Sequence, residues 1–167
     1  WSVGQMDAFW RRLFSDFSLL YEGDPQVVRK PTQEPFIDYP WFPNVRLNYA
    51  ENLLESKNPD QLAIIFRHES GSRRQISFGE LKEQVAALAQ ELSATVRPGD
   101  VVAAYMPNIP ETVIGMLAAS SLGAAFTSTS CDFGVDAVLE RFAQTAPVAL
   151  ITSRAYTYNR KVIDLSD

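Results

Sequence analysis

The chain has 167 residues, of which 46% are hydrophobic and 21% charged, proportions typical of a globular protein. Its 15 basic and 20 acidic residues give a net charge of −5, and no segment is strongly basic, which argues against nucleic-acid binding. A single cysteine, Cys131, excludes an internal disulfide and fits a reducing, cytoplasmic compartment. A single histidine, His68, and the spacing of the carboxylates predict no metal site.

The first element in the chain is predicted to be a helix, because its apolar residues recur at helical spacing. We expect this stripe to pack on a core, and Ser2 with Gln5 has the spacing of a capping box at its start. The stripe consists of Met6, Phe9, Trp10, Leu13, Phe14 and Phe17.

The next segment, residues 19–41, contains four prolines and loses the apolar period. It predicts an irregular arm with at most a short strand at 27–28. Asn48 and Glu51 then have capping-pair spacing and predict a short helix that ends at Leu54.

A hairpin and a helix are predicted after the turn at 58–60. Residues 62–67 and 74–77 have strand composition and flank a turn at 69–71, which indicates an antiparallel pair. Ser77 and Glu80 form a capping box that opens a helix running to about residue 95.

Three buried strands are predicted at 101–106, 124–128 and 148–152. The helix after the first strand begins at Pro110 and ends at Gly123. The helix after the second spans 135–144, with the side chains of Val138, Leu139 and Phe142 predicted to be buried. Two consecutive crossovers indicate a parallel, doubly wound sheet, which is an α/β fold. The uncharged stretch 112–131 is too rich in Ser and Thr for a membrane span.

Residues 128–132 form the most polar loop, between a predicted strand and a predicted helix. Two interpretations stay open: a loop that faces a ligand, or a helix cap with Asp132 accepting amide hydrogen bonds and Cys131 packed as a small apolar group. Neither a glycine-rich phosphate loop nor a GxSxG motif occurs. Residues 154–161 mix basic and tyrosine side chains, which suits either a solvated loop or a phosphate clasp.

Three segments, taken in order, resemble the N-terminal portion of the AMP-forming acyl-CoA synthetases. They read WFPNVRLNYAENLL, ISFGELKEQVAALAQEL and VVAAYMPNIPETVIGMLAASSLGAAFTSTSCDFG. The LNYAENLL and TSTSCDFG versions are most similar to the acetoacetyl-CoA synthetase branch. Acetyl-CoA synthetases usually carry GGF where Cys131, Asp132 and Phe133 stand.

The resemblance implies a domain organisation. Residues 1–60 would be the helical and irregular N-terminal extension of these enzymes. Residues 61–167 would be the first βα units of a doubly wound, mostly parallel sheet, which is the first part of the AMP-binding large domain.

The resemblance also implies an adenylate-forming ligase that converts an acid, ATP and coenzyme A into acyl-CoA, AMP and pyrophosphate with magnesium. In the family the phosphate loop, the magnesium residues and the catalytic lysine lie further along the chain. The segment is therefore expected to be an N-terminal fragment, without catalytic residues, bound cofactor or activity of its own. Its expected partners are the C-terminal remainder of the parent and a second copy, through an exposed sheet edge.

Coenzyme A contacts are the one family function expected here. The loop matching residues 130–134 and basic residues near 158–161 touch coenzyme A in acetyl-CoA synthetases, which implies Phe133, Tyr158 and Lys161 as its neighbours. Two alternatives stay open: a fragment of an acetyl- or propionyl-CoA synthetase, and a non-catalytic interaction module on the same scaffold.

Overall fold

The computed structural model describes residues 1–33 and 35–165. The chain forms two compact units, Trp1–Asn52 and Leu53–Asp167. No helix in the described residues is both long enough and apolar enough to cross a bilayer.

The N-terminal unit begins with helix α1, Met6–Asp16, as the apolar stripe predicts. The predicted capping box is wrong, because Gln5 is itself the N-cap and its side chain makes no capping hydrogen bond. The preceding residues instead form a turn in which the Gln5 N–H donates to the Trp1 carbonyl at 2.9 Å. Of the stripe, only Phe14 is fully buried, where its ring packs against those of Tyr21 and Phe42.

The arm after α1 is irregular, as expected, but the strand predicted at 27–28 is wrong. Pairing occurs instead between β1, Glu22–Gly23, and β2, Val45–Arg46, and at an isolated bridge from Arg29 to Trp41. Prolines remove the N–H donors that a longer ladder in this segment needs. A short 3-10 helix, Phe36–Asp38, completes the arm.

Helix α2, Tyr49–Leu54, confirms the short helix predicted there. The Asn48 side-chain oxygen accepts a hydrogen bond from the Glu51 N–H at 3.1 Å, which is the predicted N-cap contact. The Asn52 side chain exchanges two hydrogen bonds of 2.8 Å with the backbone of Leu20. This amide therefore fixes the arm to the start of α2.

The second unit starts with the predicted hairpin, β3, Leu62–Arg67, and β4, Arg73–Ser77, paired antiparallel. Helix α3, Phe78–Leu92, follows directly, and Ser77 and Glu80 form both hydrogen bonds of the capping box. Local sequence alone specifies this start, because both partners lie within one turn.

A three-stranded parallel sheet is the centre of the second unit. Its order is β6–β5–β7, from β5, Val101–Tyr105, β6, Ala125–Thr129, and β7, Ala149–Thr152. Helix α4, Pro110–Ser121, and helix α5, Val135–Thr145, make the two crossovers. The central strand is the most buried: Val102, Ala103 and Ala104 are all but inaccessible. The predicted parallel α/β arrangement is confirmed.

The first crossover runs from β5 to β6, and the second runs back from β6 past β5 to β7. Because the two crossovers run in opposite directions across the sheet, right-handed connections place α4 and α5 on opposite faces. Helix α4 also packs on α3 and buries half of its residues. Helix α5 has no fully buried residue. The predicted burial of Leu139 is wrong, since that side chain is 61% exposed, and Val138 and Phe142 are only half-buried.

Residues 154–161 are not the solvated loop that their composition favours. They lie in a second antiparallel hairpin, β8, Ala155–Tyr158, and β9, Lys161–Asp164. Its turn residues Asn159 and Arg160 have φ values of +49° and +63°, the signature of a type I′ turn. A type I′ turn usually has glycine at its second central position, where this chain has Arg160. The sequence therefore contains no signal for this hairpin.

Candidate functional site

The candidate site lies at the carboxyl ends of the parallel strands, where open α/β sheets bind ligands. Strand β5 ends at Tyr105, β6 at Thr129 and β7 at Thr152, so the segments that follow them share one edge. The loop 130–134 follows β6 and leads into α5. The polar loop predicted at residues 128–132 overlaps it, but residues 128 and 129 lie in strand β6.

Tyr105 anchors this loop from the neighbouring strand. Its hydroxyl lies 3.0 Å from the Cys131 carbonyl and 3.2 Å from the Phe133 carbonyl, so one O–H is shared between two acceptors. Desolvation raises the pKa of the Tyr105 phenol, and nearby Cys131, Tyr156 and Asp132 raise it further. Tyr105 therefore stays protonated, and remains a donor, throughout the physiological pH range.

Cys131 is packed as a small apolar group, as the helix-cap interpretation of the loop expects for this residue. Its side chain is 5% exposed. Burial raises the pKa of the thiol, and the Asp132 carboxylate adds to the shift. The thiol stays neutral at physiological pH, so Cys131 is unsuited to act as a nucleophile.

Asp132 is not the helix cap that the second interpretation requires. Gly134 is the N-cap of α5 and makes no side-chain capping bond. The Asp132 carboxylate accepts a hydrogen bond from the Ser130 hydroxyl instead. That bond, followed by one to its own backbone N–H, lowers the pKa of Asp132, so the loop carries a negative charge at neutral pH.

Phe133 presents an aromatic ring at the surface of the same loop, 44% exposed. The guanidinium carbon of Arg141, from α5, lies 5.4 Å from the centre of this ring. Tyr158 and Lys161 lie in the β8–β9 hairpin, where they are paired across its turn. In the part of the chain that the structure describes, no hydrogen bond, ion pair or ring contact joins them to Phe133.

Tyr105 and Arg141 were missed by sequence reasoning. Tyr105 had a signal, since a tyrosine ends an otherwise aliphatic strand at the ligand-binding edge. Arg141 had no such signal in the sequence, because its contact with Phe133 depends on the direction of helix α5 relative to the loop before it.

A separate groove of about 310 Å³ lies beside the β3–β4 turn, lined by segments 66–69, 107–109 and 155–157. His68 lies in this turn, with Nδ1 2.8 Å from the Ser70 hydroxyl. The Glu69 carboxylate accepts a 2.7 Å hydrogen bond from the Arg160 N–H, which joins the two hairpins. Within residues 1–33 and 35–165, no acidic, histidine or cysteine cluster could hold a metal ion.

The family model described as AMP-binding enzyme matches residues 54–166, and the chain therefore belongs to the family of AMP-binding enzymes. The match covers the whole parallel sheet and both hairpins.

The proteins to which the chain is similar include acetoacetyl-CoA synthetases. The chain is 40% identical to acetoacetyl-coenzyme A synthetase of Rhizobium meliloti, over 99% of this chain and 25% of that protein. It is 39% identical to the mouse acetoacetyl-CoA synthetase, over 96% of this chain and 24% of that protein. The solved acetoacetyl-CoA synthetase from Streptomyces lividans matches with a TM-score of 0.92 and 39% identity, over 98% of this chain and 26% of that one. The chain thus spans about a quarter of the length of these relatives.

Proposed function

We propose that this chain is the N-terminal portion of an acetoacetyl-CoA synthetase. The whole protein would join acetoacetate to coenzyme A at the expense of ATP, with release of AMP and pyrophosphate. The observation that carries this proposal is the 40% identity to an acetoacetyl-CoA synthetase along 99% of the chain. The backbone supports it, with a TM-score of 0.92 to a solved enzyme of that name.

We further propose that Phe133, Tyr158 and Lys161 are neighbours of coenzyme A, which would supply the thiol that receives the acyl group. An exposed ring at the strand-end edge suits stacking on adenine, and Lys161 supplies a cation beside Tyr158. The negative charge of the ionised Asp132 disfavours the approach of the coenzyme A phosphates to its side of the loop. Coenzyme A is therefore expected to approach from the Phe133 side of the loop.

ATP and magnesium, in this proposal, bind to the part of the protein that lies beyond the matched quarter. The support is that the described residues offer no carboxylate cluster for a metal and that the sequence holds no glycine-rich phosphate loop. The 167-residue chain is accordingly expected to give no saturable heat with ATP in calorimetry. Saturable binding would contradict this part of the proposal.

We also propose that residues 1–60 form the N-terminal extension and residues 61–167 the first part of the large domain. The family match from residue 54 supports a division in this region. A cytoplasmic location is part of this proposal, and its support is that the sequence holds a single cysteine and therefore no internal disulfide. Self-association is supported by the open edges of the described sheet.

The activity is tested on the product of the complete reading frame that contains this sequence. Purified protein with ATP and coenzyme A should form thioester and AMP faster with acetoacetate than with acetate or propionate. A preference for acetate or propionate would favour the acetyl- or propionyl-CoA synthetase alternative. Thioester formation by the 167-residue chain alone would overturn the assignment of the catalytic residues to the rest of the protein.

A further inference from the structure

The Phe133 ring is held from two sides although it is substantially exposed. Its own carbonyl lies 3.2 Å from the Tyr105 hydroxyl, which fixes the backbone. The guanidinium carbon of Arg141 lies 5.4 Å from the centre of its ring, a cation–π contact that restrains the side chain. An exposed aromatic ring with both backbone and side chain restrained is preorganised to stack with a flat ligand group, because less rotamer entropy is lost on binding.

Arg141 retains its hydrogen-bonding capacity in this position. A guanidinium contacts an aromatic ring with its flat face, while its N–H donors point outward in its own plane. Among the described residues, Arg141 forms no ion pair with a carboxylate. The donors of Arg141 are therefore available to an anion that lies beside the Phe133 ring.

The charge of the loop gives this cation a role in recognition. Asp132, next to Phe133, is ionised at neutral pH like an ordinary exposed carboxylate, and the hydrogen bond from the Ser130 hydroxyl lowers its pKa further. A phosphorylated ligand at this loop meets an unfavourable negative charge from Asp132 and a favourable positive charge from Arg141. Arg141 thus provides the attraction that offsets the carboxylate.

We propose that Arg141 is a specificity-determining residue that binds the 3′-phosphate of an adenosine whose base stacks on Phe133. This inference rests on the proposed function, in which Phe133 is a neighbour of coenzyme A. The 3′-phosphate is attached to the same nucleoside as the stacking base, and the proposal places it beside Phe133 on the side where the Arg141 guanidinium lies. Arg141 then makes the loop select coenzyme A over nucleotides that lack this phosphate.

The test measures the affinity of the chain for coenzyme A and for dephospho-coenzyme A, which lacks only the 3′-phosphate. Titrations monitor the amide signals of residues 130–134 by NMR in the original protein and in Arg141→Gln and Arg141→Lys. Lys82→Gln is the charge-matched control, because it removes one positive charge from an exposed ion pair on α3.

The original protein should prefer coenzyme A, and Arg141→Gln should lose roughly two- to fivefold in affinity for it, the range of one charged contact at an exposed site. The same variant should lose far less affinity for dephospho-coenzyme A. Arg141→Lys should retain part of the preference for coenzyme A over dephospho-coenzyme A. Lys82→Gln should change neither affinity.

Two negative results have different meanings. Equal losses for both ligands in Arg141→Gln, or no loss, would overturn the phosphate role while leaving the coenzyme A contact of the loop intact. A loop that responds to neither ligand in the original protein would overturn the proposed coenzyme A contact, and the role of Arg141 with it. Circular dichroism of each variant confirms that the fold is retained.

Discussion

Tyr105 shows how a single side chain stabilises the loop at the strand-end edge. Its ring lies at the end of the central strand, and its hydroxyl reaches the carbonyls of Cys131 and Phe133 on the loop that follows the neighbouring strand. Both acceptors would otherwise depend on water, and the Cys131 side chain beside them is buried. Removal of this hydroxyl should therefore loosen the loop without creating a cavity in the sheet.

Tyr105→Phe is expected to lower the free energy of unfolding by about 1 kcal/mol, the usual net contribution of one such hydrogen bond. It should also speed the alkylation of Cys131, because the loop opens more often. Urea denaturation and the rate of thiol modification measure the two effects. Tyr158→Phe is the control, since that side chain is 65% exposed and should be neutral. Equal effects of both substitutions would contradict the anchoring role.

The pH dependence of Cys131 alkylation should be shifted to higher pH than that of an ordinary thiol. Because burial raises its pKa, the rate of alkylation should reach half its maximum above the ordinary thiol value of about 8.5. The folded state holds the thiol proton more tightly than the unfolded state, so this contribution to stability is complete below the unfolded-state pKa. It is lost as the pH rises through the folded-state pKa.

A pH series of alkylation rates, with the protein in urea as reference, tests this expectation for Cys131. The unfolded chain should titrate near the ordinary value. A folded-state midpoint at or below that of the unfolded chain would show that the thiol is not buried.

At the level of elements, helix α3 begins with a capping box whose contribution to the free energy of unfolding can be measured. The Ser77 hydroxyl accepts from the Glu80 N–H at 3.2 Å, and the Glu80 carboxylate accepts from the Ser77 N–H at 2.8 Å. Each partner satisfies a backbone donor that the helix itself leaves unpaired.

Ser77→Ala is expected to lower the free energy of unfolding by about 1 kcal/mol, because one of these donors loses its acceptor. Ser2→Ala is the matched comparison, since Ser2 has the same sequence spacing to Gln5 but does not cap α1. It should leave the stability unchanged in the same thermal or urea denaturation. A comparable loss for Ser2→Ala would indicate that the capping box at α1 forms in solution.

The contrast between these two serines explains which elements can be predicted. The α3 cap and the β3–β4 hairpin depend on residues within a few positions of each other, so their sequence signals suffice. The β8–β9 hairpin was missed because Asn159 and Arg160 adopt left-handed conformations without a glycine. The exposure of Leu139 was missed because helical spacing identifies an apolar face but not what covers it.

At the level of the whole molecule, the second unit leaves apolar side chains uncovered on α5 and on the edge strand β7. Val135 is 71% exposed and Leu139 61% exposed on the helix, and Leu150 is 56% exposed on the strand. Strands β6 and β7 are also the outer strands of the described three-stranded sheet. Exposed apolar surface beside unpaired strand edges favours association.

The 167-residue chain is therefore expected to self-associate in a concentration-dependent way, which light scattering after size-exclusion chromatography measures. Leu139→Glu should shift the equilibrium toward monomer, because it places a charge on the exposed apolar face of α5. Gln144→Glu adds the same charge on the same helix, at an exposed polar position, and should have little effect. A monomer at every concentration would contradict self-association through this face.

The amino-acid sequence by itself determined the order of strands and helices from β3 to β7 in the second unit, the parallel crossovers and the resemblance to acyl-CoA synthetases. These features depend on local periodicity, capping residues and the succession of motifs along the chain. Only the tertiary structure decided that Tyr105 meets the carbonyls of residues 131 and 133, that Arg141 covers Phe133 and that Asp132 is bound by Ser130 rather than capping α5. Such contacts depend on strand register and on the direction in which each helix leaves its loop, and no local pattern specifies either.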